Sequence, residues 1–255
     1  MIFRNRNRNQ SLDLPPPPVV PIMPDQPFFA VGDVHGCDRL LERLLKRLDS
    51  VAHPEALLVL TGDYIDRGED TARVLRRLRV LSEAAGDLMH CIMGNHEQML
   101  LDVIENPVEF GPRWLRHGGL QTLASYRIQP PAPSGGIKAN WIGVRDQLAA
   151  AIGEPTLNWL RDLPLSWQSG NVVVVHAGAD PALPIDSQDM SSLLWGHPDF
   201  RRRARSDGLW IVHGHTIVDT PQALNGRIST DTGAYATGIL TAALIETEQV
   251  SFYAA

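Results

Sequence analysis

The sequence predicts an α/β fold, and three observations carry that reading. Three times in the first hundred or so residues, a short apolar run ends in a glycine-bounded polar loop and then passes into leucines at helical spacing. Repeated strand, loop and helix units imply parallel strands joined by crossover helices, a layout that gathers ligands at the carboxyl ends of the strands. Beyond residue 170 a second apolar series begins, and its runs also end in polar clusters.

Composition narrows the field. The chain has 255 residues, 44% of them hydrophobic, which is ample for a packed core in one large domain or two small ones. With 23 basic against 29 acidic residues the net charge is -6, so a general nucleic-acid binder, which needs a basic face, is excluded while a small phosphorylated substrate is not. The two cysteines, Cys37 and Cys91, fall in or beside segments assigned to the core, which fits a reducing compartment better than a disulfide framework. No apolar stretch is long enough for a signal peptide or a membrane span, so the expectation is a cytoplasmic protein without a membrane partner.

Residues 1–26 combine an Arg/Asn tract with Pro15, Pro16, Pro17, Pro18, Pro21 and Pro24 and are expected to form a poorly ordered, polyproline-like arm. A single domain is expected over 27–255. Its first strand, 28–31, breaks into Gly32-Asp33-Val34-His35-Gly36, and Leu40, Leu41, Leu44, Leu45 and Leu48 then place a helix over 38–49. A second strand at 56–60 runs into Gly62-Asp63-Tyr64-Ile65-Asp66-Arg67-Gly68, followed by a helix at 71–81. The third unit is a strand at 88–93, the loop Gly94-Asn95-His96-Glu97 and a helix continuing to 104. Residues 105–164 have few strand signals; a helical pattern at 112–126 and a Pro/Gly-rich break at 130–136 mark a helical insertion flanking the strand ends. The runs 171–175 and 209–212 end in His176-Ala177-Gly178 and His213-Gly214-His215-Thr216, and 223–230, 238–246 and 249–253 alternate with turn signals as a closing β-meander.

Collected from the strand ends, Asp33, His35, Asp63, Asn95, His176 and one of His213 and His215 form an oxygen and imidazole donor set without thiolate, which suits Mn, Fe or Zn. That is too many ligands for one ion that keeps an open position. Two divalent ions sharing a carboxylate match the count, and a pair ~3.5–4 Å apart is a common device for displacement at phosphorus, with an acidified water as nucleophile. Arg67 is placed to clamp phosphate, His96 to protonate the leaving oxygen, and Asp66 to orient that imidazole.

The five clusters 32–36, 62–68, 94–97, 176–178 and 214–216, in this order, resemble the calcineurin-like metallophosphoesterases and, more narrowly, bacterial members of the phosphoprotein phosphatase family. The resemblance covers residue 28 to the C-terminus. It implies a four-layer sandwich in which two mixed sheets pack face to face with helices outside. It also implies one metal held by Asp33, His35 and Asp63, a second by Asp63, Asn95, His176 and His215, and manganese as the leading occupant. Residues 114–126 and 231–235 resemble stretches of the same family, with Asn95 and Tyr235 near the phosphate. One position departs: where relatives carry a phosphate-binding arginine two residues after Trp195, this chain has His197, so that either His197 substitutes, or one of Arg201, Arg202, Arg203 and Arg205 does, or phosphate binding is weaker than in relatives.

The activity implied is that of a serine/threonine phosphatase hydrolysing a phosphoprotein or a small phosphate ester through a metal-bridging hydroxide, with His96 as acid. The alternative within the superfamily is a symmetrical dinucleoside tetraphosphate hydrolase, weighed down by Glu97, where such hydrolases carry Asp, and by the Asp66-Arg67-Gly68 ending. A catalytically silent binding module is the alternative of another class; no proposed ligand is missing, which weighs against it.

Overall fold

The structure is a computed structural model that describes residues 20–51, 53, 55–131 and 137–255, with only the backbone described for 137–139. Strands β1 (Phe28–Val31), β2 (Leu57–Leu60) and β3 (Met89–Cys91) run parallel, in a register that pairs Val31 with Leu60 and Leu60 with Cys91. Their carboxyl ends therefore line up, and the three polar loops leave from one edge. Helices α1 (Asp38–Val51), α2 (Thr71–Ala85) and α3 (Asn95–Glu105) follow the loops, as the leucine spacing predicts.

A second sheet is built from β4 (Ser166–Ser169), β5 (Val172–Val175), β6 (Trp210–His213), β7 (Gln222–Leu224) and β8 (Arg227–Ser229), in the order β4-β5-β6-β8-β7. The expected closing meander is divided between the two sheets. The β7–β8 hairpin turns at Asn225-Gly226, both at positive φ, and edges the second sheet. By contrast β9 (Thr241–Glu246) and β10 (Gln249–Ala254) return to the first, giving the order β10-β9-β1-β2-β3. Alternation explains the switch: Ala243 and Ile245 join the cluster between the sheets while Ala242 and Leu244 face the helices. Strand β4 has no counterpart in the sequence pattern, because Ser-Trp-Gln-Ser is a polar edge strand with little apolar signal.

Two sheets packed face to face with helices outside make four layers, as expected. Phe28, Ala30, Val59, Val174, Val212 and Ile228 meet between the sheets. Phe29 and Val31 point the other way and pack with Leu41, Leu44, Val74 and Leu78 of α1 and α2. Each fully buried side chain of this size contributes ~1.5–3 kcal/mol, so the strand ends sit on a stiff platform. Behind the second sheet Val173, Val175 and Ile211 pack with Leu193 of α8 (Met190–Trp195) and with Phe200.

The insertion comprises α4 (Pro107–Trp114), one π turn at Leu115–Gly119, α5 (Leu120–Ser125), α6 (Ile137–Ile152) and α7 (Glu154–Arg161). The helix predicted over 112–126 is thus interrupted, at Gly118 with φ 106°. Of the N-terminal residues, the Arg/Asn tract and Pro15 to Pro18 lie outside the described residues. Residues 20–26 lie against the second sheet: Ile22 is buried, Trp210 Nε1 donates to Val20 O at 2.8 Å, and Met23 N donates to Asn171 Oδ1 at 2.7 Å. Among the described residues no helix is long and apolar enough to cross a membrane.

Candidate metal centre

The residues singled out for chemistry sit on unusual backbone. His35 (φ 43°), Asp63 (54°), Asp66 (68°), Arg67 (67°) and His215 (59°) all occupy the left-handed region, at a cost of roughly 1–2 kcal/mol each. Such strain persists only where the surroundings over-determine it. Glu97, at the start of α3, supplies part of the restraint: its buried carboxylate accepts from Gly94 N (3.0 Å), Asp63 N (2.8 Å) and Tyr64 N (2.8 Å). Glycine is demanded at 214, where a Cβ would lie 2.0 Å from Asp33 Oδ1.

Two clusters form around one carboxylate: His35, Asp63 and His96, and Asp63, His176 and His215. Asp63 Oδ2 lies 3.5 Å from His35 Nε2, whereas its Oδ1 lies 3.4 Å from His176 Nε2. Tautomers follow from the outer hydrogen bonds. His35 Nδ1 donates to Ile65 O (2.8 Å) and His176 Nδ1 to Thr61 O (2.9 Å), and a carbonyl can only accept, so each ring turns its Nε2 inward. Burial lowers His35 to about 3 and, with the nearby His176, lowers His215 to about 4, so both imidazoles remain neutral.

Asn95 Oδ1 completes the second cluster, 2.8 Å from His176 Nε2 and 2.9 Å from His215 Nδ1. On the other flank, Asp33 accepts from His215 N at 2.9 Å. Asp33 is raised well above the carboxylate range by burial and then by Asp231, a second buried acid. Burial alone would lower His176, yet Asp63 and Asp33 raise it to about 10. Without an ion, His176 carries the positive charge that this gathering of buried carboxylates, an amide oxygen and imidazoles draws in, a charge that bound cations would replace. The donor set therefore fits two divalent ions, and its chemistry does not choose between Mn, Fe and Zn.

Beside this centre His96 Nδ1 is 2.7 Å from Asp66 Oδ2. Asp66 also accepts from Trp114 Nε1 (2.9 Å) and Thr122 Oγ1 (2.6 Å), all four side chains being buried. Burial works against the imidazolium, but Asp63 and Asp66 outweigh it and raise His96. Its Nε2 faces Arg67 Nη2 at 3.3 Å, and Arg67 Nη1 donates to Tyr235 Oη at 3.0 Å. A ring nitrogen, a guanidinium and an exposed phenol thus border the same opening.

Residues 26–224 match the Calcineurin-like phosphoesterase family. The chain belongs to that family. Over 235 residues it is 28% identical to the asymmetrical bis(5'-nucleosyl)-tetraphosphatase PrpE of Geobacillus thermodenitrificans, spanning 83% of this chain and 87% of that one. A symmetrical bis(5'-nucleosyl)-tetraphosphatase of Delftia acidovorans is 31% identical over 194 residues, 74% of this chain but only 57% of the relative. Among solved structures, the cold-active protein-tyrosine phosphatase of a psychrophilic Shewanella aligns with a TM-score of 0.55 at 20% identity, over 91% of this chain and 82% of that one, a likeness of fold alone.

These curated relatives of the phosphoesterase carry tetraphosphatase names, not the protein-phosphatase name expected from the motif endings. Glu97, whose identity weighs against the nucleotide hydrolases in the sequence, uses its carboxylate to accept from the backbone of Asp63, Tyr64 and Gly94.

The structure brings Asp33, His35, Asp63, Asp66, Arg67, Asn95, His96, His176, His215 and Tyr235 together. It does not bring His197 with them: its Nε2 lies 3.7 Å from Asp180 and its Nδ1 accepts from Asp199 N. Arg205 is committed to Asp180 O, Leu183 O and Asp207, and Arg203 pairs with Asp199. His213 is buried on the outer face of β6 against Ser229 Oγ, away from the ligands. Instead Arg113 of the insertion lies 4.9 Å over the ring of Trp195, which itself is 6.3 Å from the ring of His215. Sequence reasoning missed Trp114, Thr122, Glu97 and Asp231. Glu97 left a local signal, as the third residue of a helix beginning after Gly94, and Trp114, Thr122 and Asp231 fall within the stretches 114–126 and 231–235 that resemble the family.

Proposed function

We propose that this phosphoesterase hydrolyses dinucleoside polyphosphates of the bis(5'-nucleosyl)-tetraphosphate class. The observation that carries the reading is the likeness to an asymmetrical tetraphosphatase along nearly the full length of both chains, together with a complete donor set. Asp33, His35 and Asp63 would hold one ion, and Asp63, Asn95, His176 and His215 the other. Bound there, two divalent ions would supply an acidified water and polarise the phosphoryl oxygens.

The remaining work falls to the chain. Arg67, steadied by Tyr235, offers two N–H groups to the phosphate being attacked, which its planar fork suits. His96 Nε2 gives its proton to the departing phosphate oxygen. Asp66 keeps Nδ1 protonated and the ring aimed, while Trp114 and Thr122 keep Asp66 from turning away.

A second reading, a phosphomonoesterase acting on phosphoproteins, rests on the Asp66-Arg67-Gly68 ending of the loop. A panel of diadenosine tetraphosphate, a phosphopeptide and an aryl phosphate, assayed with Mn, separates the two. The expected result is a strong preference for the dinucleotide, and analysis of products shows whether cleavage gives two ADP or ATP and AMP. Preference for the phosphopeptide would transfer the assignment to the second reading. No hydrolysis of any substrate would leave a binding module.

A further inference from the structure

A polar cleft on the outer face of the second sheet is lined by Arg201, Thr216, Gln222, Asn225, Arg227 and Ser229, and no carboxylate lines it. Register explains how it forms. Ile211 pairs with Arg227 and His213 with Ser229, while the intervening Val212 and Ile228 point into the core, so the ends of β6 and β8 turn polar groups outward side by side. Thr216 adds a hydroxyl from the loop that carries His215.

The charges in this cleft are unbalanced. Arg227 Nη1 donates to Phe200 O (2.9 Å) and Arg203 O (3.2 Å), and its guanidinium lies 5.8 Å from the Phe200 ring centroid. It is held in place by carbonyls and a ring rather than by an acid. Among the described residues, Arg201 has no hydrogen-bond or ion-pair partner. Burial lowers the Arg227 guanidinium, and the neighbouring Arg201 lowers it further. Two guanidinium groups lining one cleft, with no carboxylate in that lining, favour an anion there.

We propose that this cleft is a binding site for a phosphate-class oxyanion, distinct from the metal centre and adjoining it through the Gly214-His215-Thr216 loop. Arg201 and Arg227 supply the charge, with the hydroxyl of Thr216 and the amides of Gln222 and Asn225 as further donors. About 150 Å³ of space accommodates such an ion with part of its hydration, since one water's share of the liquid is ~30 Å³. The inference does not depend on which ester the enzyme cleaves.

Calorimetric titration of inorganic phosphate into the metal-loaded full chain tests it. Wild type should show two classes of site. Arg67→Gln should weaken the one at the metal centre, and Arg201→Gln should weaken the other roughly tenfold or more, with Arg201→Lys intermediate. Because Arg201 is exposed and unpartnered, Arg201→Gln should melt like wild type. A phosphate isotherm unchanged by Arg201→Gln, or one abolished by Arg67→Gln alone, would overturn the proposal. The same variant identifies the source of the anion. If the cleft takes a distal phosphate of the substrate, Arg201→Gln raises KM for diadenosine tetraphosphate and not for an aryl phosphate; if it takes free phosphate, neither KM moves.

Discussion

Asp63 presents one carboxylate oxygen to His35 at 3.5 Å and the other to His176 at 3.4 Å, so a single side chain joins the two halves of the centre. Asp63→Asn should therefore disturb both halves together. Elemental analysis of the purified variant is expected to show loss of more than one equivalent of metal, and activity should fall by roughly 10³-fold or more, the scale of losing several kcal/mol of charge stabilisation. Loss of only one equivalent with half the activity retained would contradict a shared ligand.

Removing metal should cost stability as well as activity, because the folded chain buries Asp33, Asp63 and Asp231 together, a repulsion that bound cations would relieve. A chelator is expected to lower Tm, and added Mn to restore it. At a concentration 100 times Kd, each ion adds ~2.7 kcal/mol to the folded state.

His96 stands 2.7 Å from Asp66 and touches the opening through Nε2. His96→Asn should reduce kcat by roughly 10²–10⁴-fold for substrates with poor leaving groups. An activated aryl phosphate, whose leaving oxygen needs no proton, should be affected much less. An equal loss on both would argue that His96 acts in some other way.

Trp114 is fully buried, and its indole N–H reaches both oxygens of Asp66, at 2.9 and 3.1 Å. Trp114→Phe retains most of the packing and removes the donor. We expect a stability loss of about 1–3 kcal/mol by denaturant titration, and a lower kcat with KM nearly unchanged, because the orientation of the acid and not substrate binding is altered.

Arg113 stacks its guanidinium over Trp195, whose ring lies 6.3 Å from that of His215, whereas His197 turns toward Asp180. Arg113→Ala should raise KM for diadenosine tetraphosphate roughly tenfold while kcat changes little, and His197→Ala should change neither. The reverse pattern would return the role to His197.

Much of this molecule can be read along the chain because its donors sit where local rules place them. A run such as Phe28–Val31 followed by glycine, aspartate and histidine declares a strand and the loop beyond it, and leucines at helical spacing declare the helix that follows. Asp33, Asp63, Asn95 and His176 are legible for that reason, each a few residues from an apolar run that fixes its position in space, whereas only the family resemblance separates His215 from His213. Tertiary structure alone decided what lies around them. Trp114 reaches Asp66 from 48 residues away, and Glu97 meets Asp63 N across two loops, contacts that no spacing announces. It also decided that β9 and β10 leave the hairpin before them and close the first sheet, a choice set by which strand face finds an apolar partner. And it turned His197 toward Asp180 while placing Arg113 over Trp195, because a side chain's direction depends on neighbours packed from remote segments, whereas the order of motifs depends only on the chain.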